Sequence, residues 1–286
     1  MPAHFSPSRR AFIVSTAVAT TSLAFPARGR AADELRVAVV PEVATTANSV
    51  AQKQPLVDLL QHATGRSVRV IVPTNYAATV EALGNDGVDL AHFGGLTYVK
   101  ANARYGARAL VQRIEDKQFH SLFIASAANA GLHDVAGLRG KNFAFGDVNS
   151  TSGHLIPAKL LIDAKLDPDN DIRSRFTGNH TATAIAVAAG QVDAGAIDET
   201  VYRKLVDDKT IAPAKARVFV TSEPFVDYTW AVAKSLDDKT AKSIADAFVA
   251  TKDPALLSLL RATRYVASND AEYDTIRRIA KRLNLL

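Results

Sequence analysis

Two blocks of this sequence align without a gap. Tyr76–Gly95 reads YAATVEALGNDGVDLAHFGG, and His180–Glu199 reads HTATAIAVAAGQVDAGAIDE. Both place Ala and Thr two and three residues into a helical pattern and open an apolar run with Val-Asp. Each block reads as a helix, a tight turn and a buried strand. Common descent or the shared demands of α/β units could produce such a match; the geometric consequence is the same. In open parallel sheets, strand C-termini and helix N-termini lie on one edge, where ligands sit. Tyr76 and His180, at helix starts, then share an edge with Phe93-Gly94-Gly95 and with Ile197-Asp198-Glu199, at strand ends. Two such units more than a hundred residues apart predict two lobes whose binding edges face one another.

The rest of the chain keeps the alternation. Strands are predicted at Leu35–Val40, Val68–Val72, Val88–Phe93, Leu122–Ala127, Asn142–Phe145, Arg217–Thr221 and Thr229–Ala233. Helices are predicted at Pro55–His62, Tyr76–Leu83, Pro157–Leu166, Thr181–Ala189 and Val201–Asp207, with helical pattern again from Asp237 onward. Strands and helices in this order belong to an α/β fold with mostly parallel sheets flanked by helices.

The N-terminus predicts export. Ser8-Arg9-Arg10 precedes an apolar run from Ala11 to Phe25, too short and too rich in Ser and Thr for an anchor, and small residues follow at Gly29 and Ala31. Residues 1–31 read as a signal peptide, and the Arg pair resembles a twin-arginine signal. The leader's four arginines and absence of acids take the formal charge from +5 to +1. A nearly neutral mature chain gives no reason to expect nucleic acid or anionic lipid as a partner. With no cysteine, disulfides, thiolate metal sites and a catalytic thiol are excluded.

One segment carries most of the candidate chemistry. Gly146–Pro157, GDVNSTSGHLIP, stands between a strand and a helix. The first backbone N–H groups of a helix lack internal acceptors, and that end of the dipole is positive. Ser150, Thr151 and Ser152 add three hydroxyls there, and Gly153 permits close backbone approach. An N-cap accounts for one hydroxyl but not for three, so the segment reads as an anion cradle without a fixed cation. Pro157 should kink the helix if it lies beyond the first turn. The spacing of a nucleotide P-loop is absent. His92, His120 and His154 have no metal-ligand spacing. No nucleophile elbow is present, so no enzyme is read here. Asp198 and Asp227 stand out, because a carboxylate beside an anion needs a proton or a cation between them.

The segment resembles the GDP-x-STSG-x-x-x-P signature of periplasmic solute-binding proteins for phosphonates and phosphite. The likeness extends to Tyr76 with its VEAL, Val88-Asp89, Phe93–Tyr98, Leu138–Phe145, His180 with Val192-Asp193, and Tyr273–Leu285. It spans nearly the whole mature chain. The resemblance implies a two-lobed type II solute-binding fold with ligand in the interlobe cleft. Lobe I would comprise residues 33–120 and 224–286, and lobe II residues 121–223. The ligand-binding set would comprise Tyr76, Gly94, Gly95, Phe119, His120, Ser150, Thr151, Ser152, His180, Asp198 and Asp227. Two departures stand out. Where the family often has a Tyr near Phe119, this chain reads Gln118-Phe119-His120-Ser121, and His120 would replace that donor. Val148 replaces the usual Pro. Asp227 matches one carboxylate that meets the amine in aminoalkylphosphonate binders, whereas Thr200 falls near the position of another.

The expectation is therefore a monomeric, exported binding protein that takes a small phosphorus oxyanion to an ABC permease, with no cofactor and no metal. The same pocket would serve a sensor presenting its complex to a membrane histidine kinase; an exported phosphoester hydrolase is the enzymatic alternative. Replacing Arg9 and Arg10 with Lys should leave precursor in the cytoplasm if the twin-arginine route is used. Unchanged periplasmic yield would exclude that route.

Overall fold

The computed structural model describes residues 34–41 and 52–286; the leader expected at residues 1–31 lies outside them. Among the described residues eleven strands form two sheets. They are β1 (Glu34–Val39), β2 (Ser67–Ile71), β3 (Leu90–Phe93), β4 (Arg108–Arg113), β5 (Ser121–Ser126), β6 (Asn142–Phe145), β7 (Arg173–Phe176), β8 (Ala194–Asp198), β9 (Ala216–Thr221), β10 (Thr229–Val232) and β11 (Tyr265–Ala267). The first sheet has the order β11-β4-β10-β3-β1-β2 and the second β7-β6-β8-β5-β9. Each is the centre of one lobe.

Period-two alternation places a core on both faces of each sheet. Leu35, Val37 and Val39 of β1 pack with Leu56, Leu60, Ile244 and Phe248. Ala38 and Val40 face the other way, toward Val80, Leu83, Leu96, Tyr98 and Ile276. In the second sheet Leu122 and Ile124 pack with Val187, Ile197 and Val201, while Phe123 and Ala125 face Phe143, Phe145 and Leu161. Helices therefore cover both faces, as an α/β layer arrangement requires.

The sheets are mixed rather than mostly parallel, which corrects the sequence expectation. β1 pairs parallel with β2 and β3, and β6 with β7 and β8. β10, however, enters the first sheet between β3 and β4 antiparallel to both, and β5 runs antiparallel to β8 and β9. The cause is the crossing of the chain between sheets. It leaves after β4 and returns after β9, and the strand entered after each passage, β5 in the second sheet and β10 in the first, runs against the parallel ones. The two passages are bonded to each other: Phe119 and Phe225 exchange N–H···O bonds of 2.8 and 3.0 Å, and Asp227 N–H reaches Asp116 O at 3.0 Å. This paired passage joins the two sheets.

The two aligned blocks adopt matching local structures. The helices Tyr76–Gly84 and His180–Ala188 are each nine residues long. Asn75 and Asn179 cap them, each side chain accepting the N–H of the third residue on at 2.8 Å. Asp89 accepts the N–H of Arg36 at 2.9 Å, and Asp193 accepts that of Asn142 at 2.8 Å. Each Asp thus pins its strand to the parallel neighbour. Within β8, Gly195 lets the helix above approach. A Cβ there would lie 2.8 Å from Thr183 Cγ2 and 2.9 Å from Ala144 O. Gly195→Ala should cost about 1–3 kcal/mol through overpacking, read as a lower denaturant midpoint; an unchanged midpoint would mean that the helix shifts freely.

Candidate functional site

The three hydroxyls of the STSG segment have three different surroundings. Ser150 is the cap, its Oγ accepting Gly153 N–H at 3.0 Å. Thr151 Oγ1 accepts the N–H of Leu96, from the other lobe, at 3.0 Å. Ser152 is fully buried, and its Oγ has no hydrogen-bond partner among the described residues. The turn itself is wider than an α-helix: Leu155 N–H bonds to Ser150 O at 3.0 Å, and Ile156 N–H to Thr151 O, both five residues back. Such widened turns recur at functional sites. Here the widening releases carbonyls that would otherwise be paired. Ser152 O instead accepts Ser121 Oγ–H at 2.6 Å. Pro157 has no N–H to give Gly153 O, and that carbonyl accepts Gly146 N–H at 2.8 Å. Pro157 thus stands in the first turn of the regular helix Ile156–Asp163, and the wide turn absorbs the irregularity expected of it.

Gly153 serves packing. A Cβ on it would come within 2.9 Å of both His180 Cε1 and Ser150 Oγ. His180 therefore lies directly against the cradle. Its Nδ1 accepts Asp198 N–H at 3.3 Å, which leaves Nε2 to carry the proton of the neutral ring. Asp198 ends β8 and caps the helix Glu199–Asp207. Its Oδ1 accepts Thr200 N–H at 2.6 Å, Val201 N–H at 2.8 Å and the Thr200 hydroxyl at 2.8 Å. Its Oδ2 is buried with no hydrogen-bond partner among the described residues.

The other lobe contributes the helix Gly95–Tyr105, whose N-cap, Gly94, has no side chain to satisfy the first N–H groups. They are satisfied from elsewhere: Gly95 N–H by Asp227 Oδ1 at 2.8 Å and Leu96 N–H by Thr151. A Cβ on Gly94 would lie 3.2 Å from Thr151 Oγ1 and 3.4 Å from Asp227 Oδ1, so the small residue admits both groups. Tyr76 is buried in the same apolar cluster as Phe93, Tyr228 and Leu155. Phe119 is buried in the paired passage, edge-on to Phe225 and Tyr228. His120 does not join this cluster; it is partly exposed, pairs with Glu199 at 3.3 Å and lines a surface groove with Lys117 and Arg203.

Burial pushes the Asp227 carboxyl up to about 8, against the opposing bonds from Gly95 N–H and the Thr151 hydroxyl; Asp198 and Asp116 raise it further. Its Oδ2 has no hydrogen-bond partner among the described residues. Nearby, Arg113 and Asp116 form a buried ion pair at 2.5 Å. Burial still lifts Asp116 to about 6, outweighing its bonds to Arg113. The Arg113 guanidinium also lies 5.1 Å from the Tyr228 ring. Sequence reading missed this pair, because nothing in R-I-E-D marks it as buried. Among the described residues no group of His, Asp and Glu is arranged to hold a metal.

Two lobes joined by a paired passage, with polar groups of both buried where their binding edges meet, define a two-lobed solute-binding protein. The fold matches that of PhnD1 from Prochlorococcus marinus (MIT 9301), solved with methylphosphonate, at a TM-score of 0.82 and 25% identity, over 89% of this chain and 99% of that one. The chain belongs to the family of ABC transporter phosphonate periplasmic substrate-binding proteins, whose sequence pattern matches residues 37–273. It is 27% identical over 235 residues to the probable ABC transporter phosphite binding protein PhnD1 of Prochlorococcus marinus, covering 76% of this chain and 79% of that protein. It is 28% identical over 287 residues to the phosphate-import protein PhnD of Mycolicibacterium smegmatis, covering 91% and 87%. Membership implies export to the periplasm and an ABC permease as partner.

The raised carboxyls set a pH dependence. A carboxyl whose folded pKa exceeds its unfolded value of about 4 binds more protons folded than unfolded between the two. Its stabilising share is complete below the unfolded value and is lost as pH rises through the folded one. Stability of the ligand-free protein should fall up to about pH 6 for Asp116 and about pH 8 for Asp227. Asp227→Asn should flatten the upper part of that fall in denaturant titrations across pH. Parallel curves for the two proteins would contradict the assignment.

Proposed function

We propose that the mature chain captures a small phosphorus oxyanion of the phosphite or phosphonate class between its lobes and delivers it to an ABC importer. The observation that carries this reading is a set of buried atoms without hydrogen-bond partners among the described residues: Ser152 Oγ, Asp198 Oδ2 and Asp227 Oδ2. One can donate and two are carboxyl oxygens. A fully deprotonated anion suits the first and not the others. An oxyanion that still carries a proton suits all three, because its P–OH can donate to a carboxyl oxygen. Asp227, neutral over much of the range below pH 8, can also donate its own proton. Tyr76, Ser150 and His180 complete the donor set in this reading, Thr151 holds Asp227 beside it, Gly94 and Gly95 keep the backbone close, and Phe119 walls the site. His120, held by Glu199, has no part in it. Lobe I takes residues 33–120 and 224–286, lobe II residues 121–223, and export uses the twin-arginine route. Asp227 alone gives the tail of an aminoalkylphosphonate too little, since Thr200 stands where a second carboxylate would help.

Calorimetry of the mature chain against phosphite, methylphosphonate, phosphate, aminoethylphosphonate and sulfate tests the reading. One-to-one binding of a phosphorus oxyanion, with sulfate much weaker, is expected; sulfate lacks the proton and would set acceptor against acceptor. Equal binding of sulfate would contradict it. Ser152→Ala should cost about 1.5–3 kcal/mol of affinity while leaving the ligand-free protein at least as stable, since it removes an unpaired buried hydroxyl. Wild-type affinity in that variant would place the anion elsewhere.

A further inference from the structure

Arg261 belongs to the lobe of the first sheet, between the helix Pro254–Leu259 and β11. Thr200 opens the helix that follows β8 in the other lobe. The Arg261 Nε–H donates to Thr200 Oγ1 at 3.1 Å. The Thr200 hydroxyl in turn donates to Asp198 Oδ1 at 2.8 Å, and Asp198 Oδ2 is the buried oxygen with no hydrogen-bond partner among the described residues. We propose that Arg261 is a cross-lobe positioning residue. It fixes the Asp198 carboxyl through Thr200 when the lobes close, and so couples closure to the orientation of a group in the anion site. The role in anion binding rests on the function proposed above; the role in closure does not.

The chain of bonds has a directional logic. The Thr200 hydroxyl has a single proton. With Arg261 donating to its oxygen, that proton turns toward Asp198 Oδ1. Without Arg261 the hydroxyl keeps the backbone-imposed position but loses the partner that orients it. The other end of the chain is also anchored. Arg113 Nη1 lies 3.5 Å from the carbonyls of Leu260 and Arg261, and Arg113 is itself locked to Asp116 on the passage between lobes. The turn that aims Arg261 is therefore tied to the element about which the lobes would swing.

The backbone offers a clean substitution. Arg261 follows the C-cap of its helix with φ of +52°. Its N–H bonds to Ser258 O at 3.1 Å and that of Ala262 to Leu257 O at 2.9 Å, the bonding of a Schellman turn, whose left-handed position suits glycine. Arg261→Gly should remove the guanidinium without disturbing the turn. We expect phosphite and methylphosphonate affinities to fall about tenfold, in the range of ordinary coupling energies, with thermal stability equal to wild type or higher. Thr200→Val should lose a similar factor, Thr200→Ser should retain wild-type affinity, and the Arg261→Gly/Thr200→Val double variant should be little worse than either single one, because both cut one chain. Wild-type affinity in Arg261→Gly, or single losses that multiply in the double variant, would overturn the proposal. Should the wild-type mature chain bind none of phosphite, methylphosphonate and phosphate, the function proposed above falls. Solution scattering of the ligand-free proteins then decides the latch alone: a larger radius of gyration in Arg261→Gly supports it, and equal radii overturn it.

Discussion

The hydroxyl of Thr151 is a central contact between the two lobes. It accepts Leu96 N–H from the first lobe and is bonded to Asp227, which returns the chain to that lobe. Much else serves this contact. The widened turn from Ser150 to Leu155 lifts Thr151 out of a regular helix, Pro157 prevents that turn from closing into one, and Gly94 leaves room for the hydroxyl and carboxyl together. A helix whose own cap is a glycine has its first N–H groups satisfied by side chains from distant parts of the chain. Closure therefore completes a helix end, and separation of the lobes would leave Leu96 N–H to water.

The electrostatics follow from the same design. Under the proposed function, a site without a fixed cation would rely on hydroxyls, a neutral imidazole and helix N-termini, all of which attract negative charge through dipoles rather than net charge. The nearby guanidinium of Arg113 is neutralised by Asp116, so it does not supply one. Buried carboxyls in this setting would repel a bare anion. They become useful when a proton is shared, and burial keeps Asp227 protonated over much of the range in which a periplasmic protein works. Under the proposed function the site would select for proton content as well as shape.

Much of this was legible in the sequence because it is local. The helix–turn–strand blocks, the helix starts near Tyr76 and His180, and the hydroxyl run before Pro157 are written in adjacent residues. β4, with the sequence RALVQR, was not legible: its buried Gln112 and Arg113 read as surface, and their burial is made tolerable by distant partners, Glu272 and Tyr273 for Gln112 and Asp116 for Arg113. The helix Gly95–Tyr105 was missed for a related reason, since its capping groups lie 55 and 132 residues away in sequence. The antiparallel entry of β10 depends on the chain's return from the other lobe, which no window of sequence reports. His120 illustrates the converse. Its position beside Phe119 suggested a donor, but alternation along the passage turns it outward to Glu199.

A crystal structure of the mature chain with methylphosphonate tests the central claim most directly. The account predicts one anion enclosed between the lobes, its oxygens within hydrogen-bond distance, about 3 Å, of Ser152 Oγ and of Asp227 Oδ2, with the Leu96–Thr151 contact intact. An anion bound to one lobe alone, or enclosed with Asp227 turned away from it, would contradict the account.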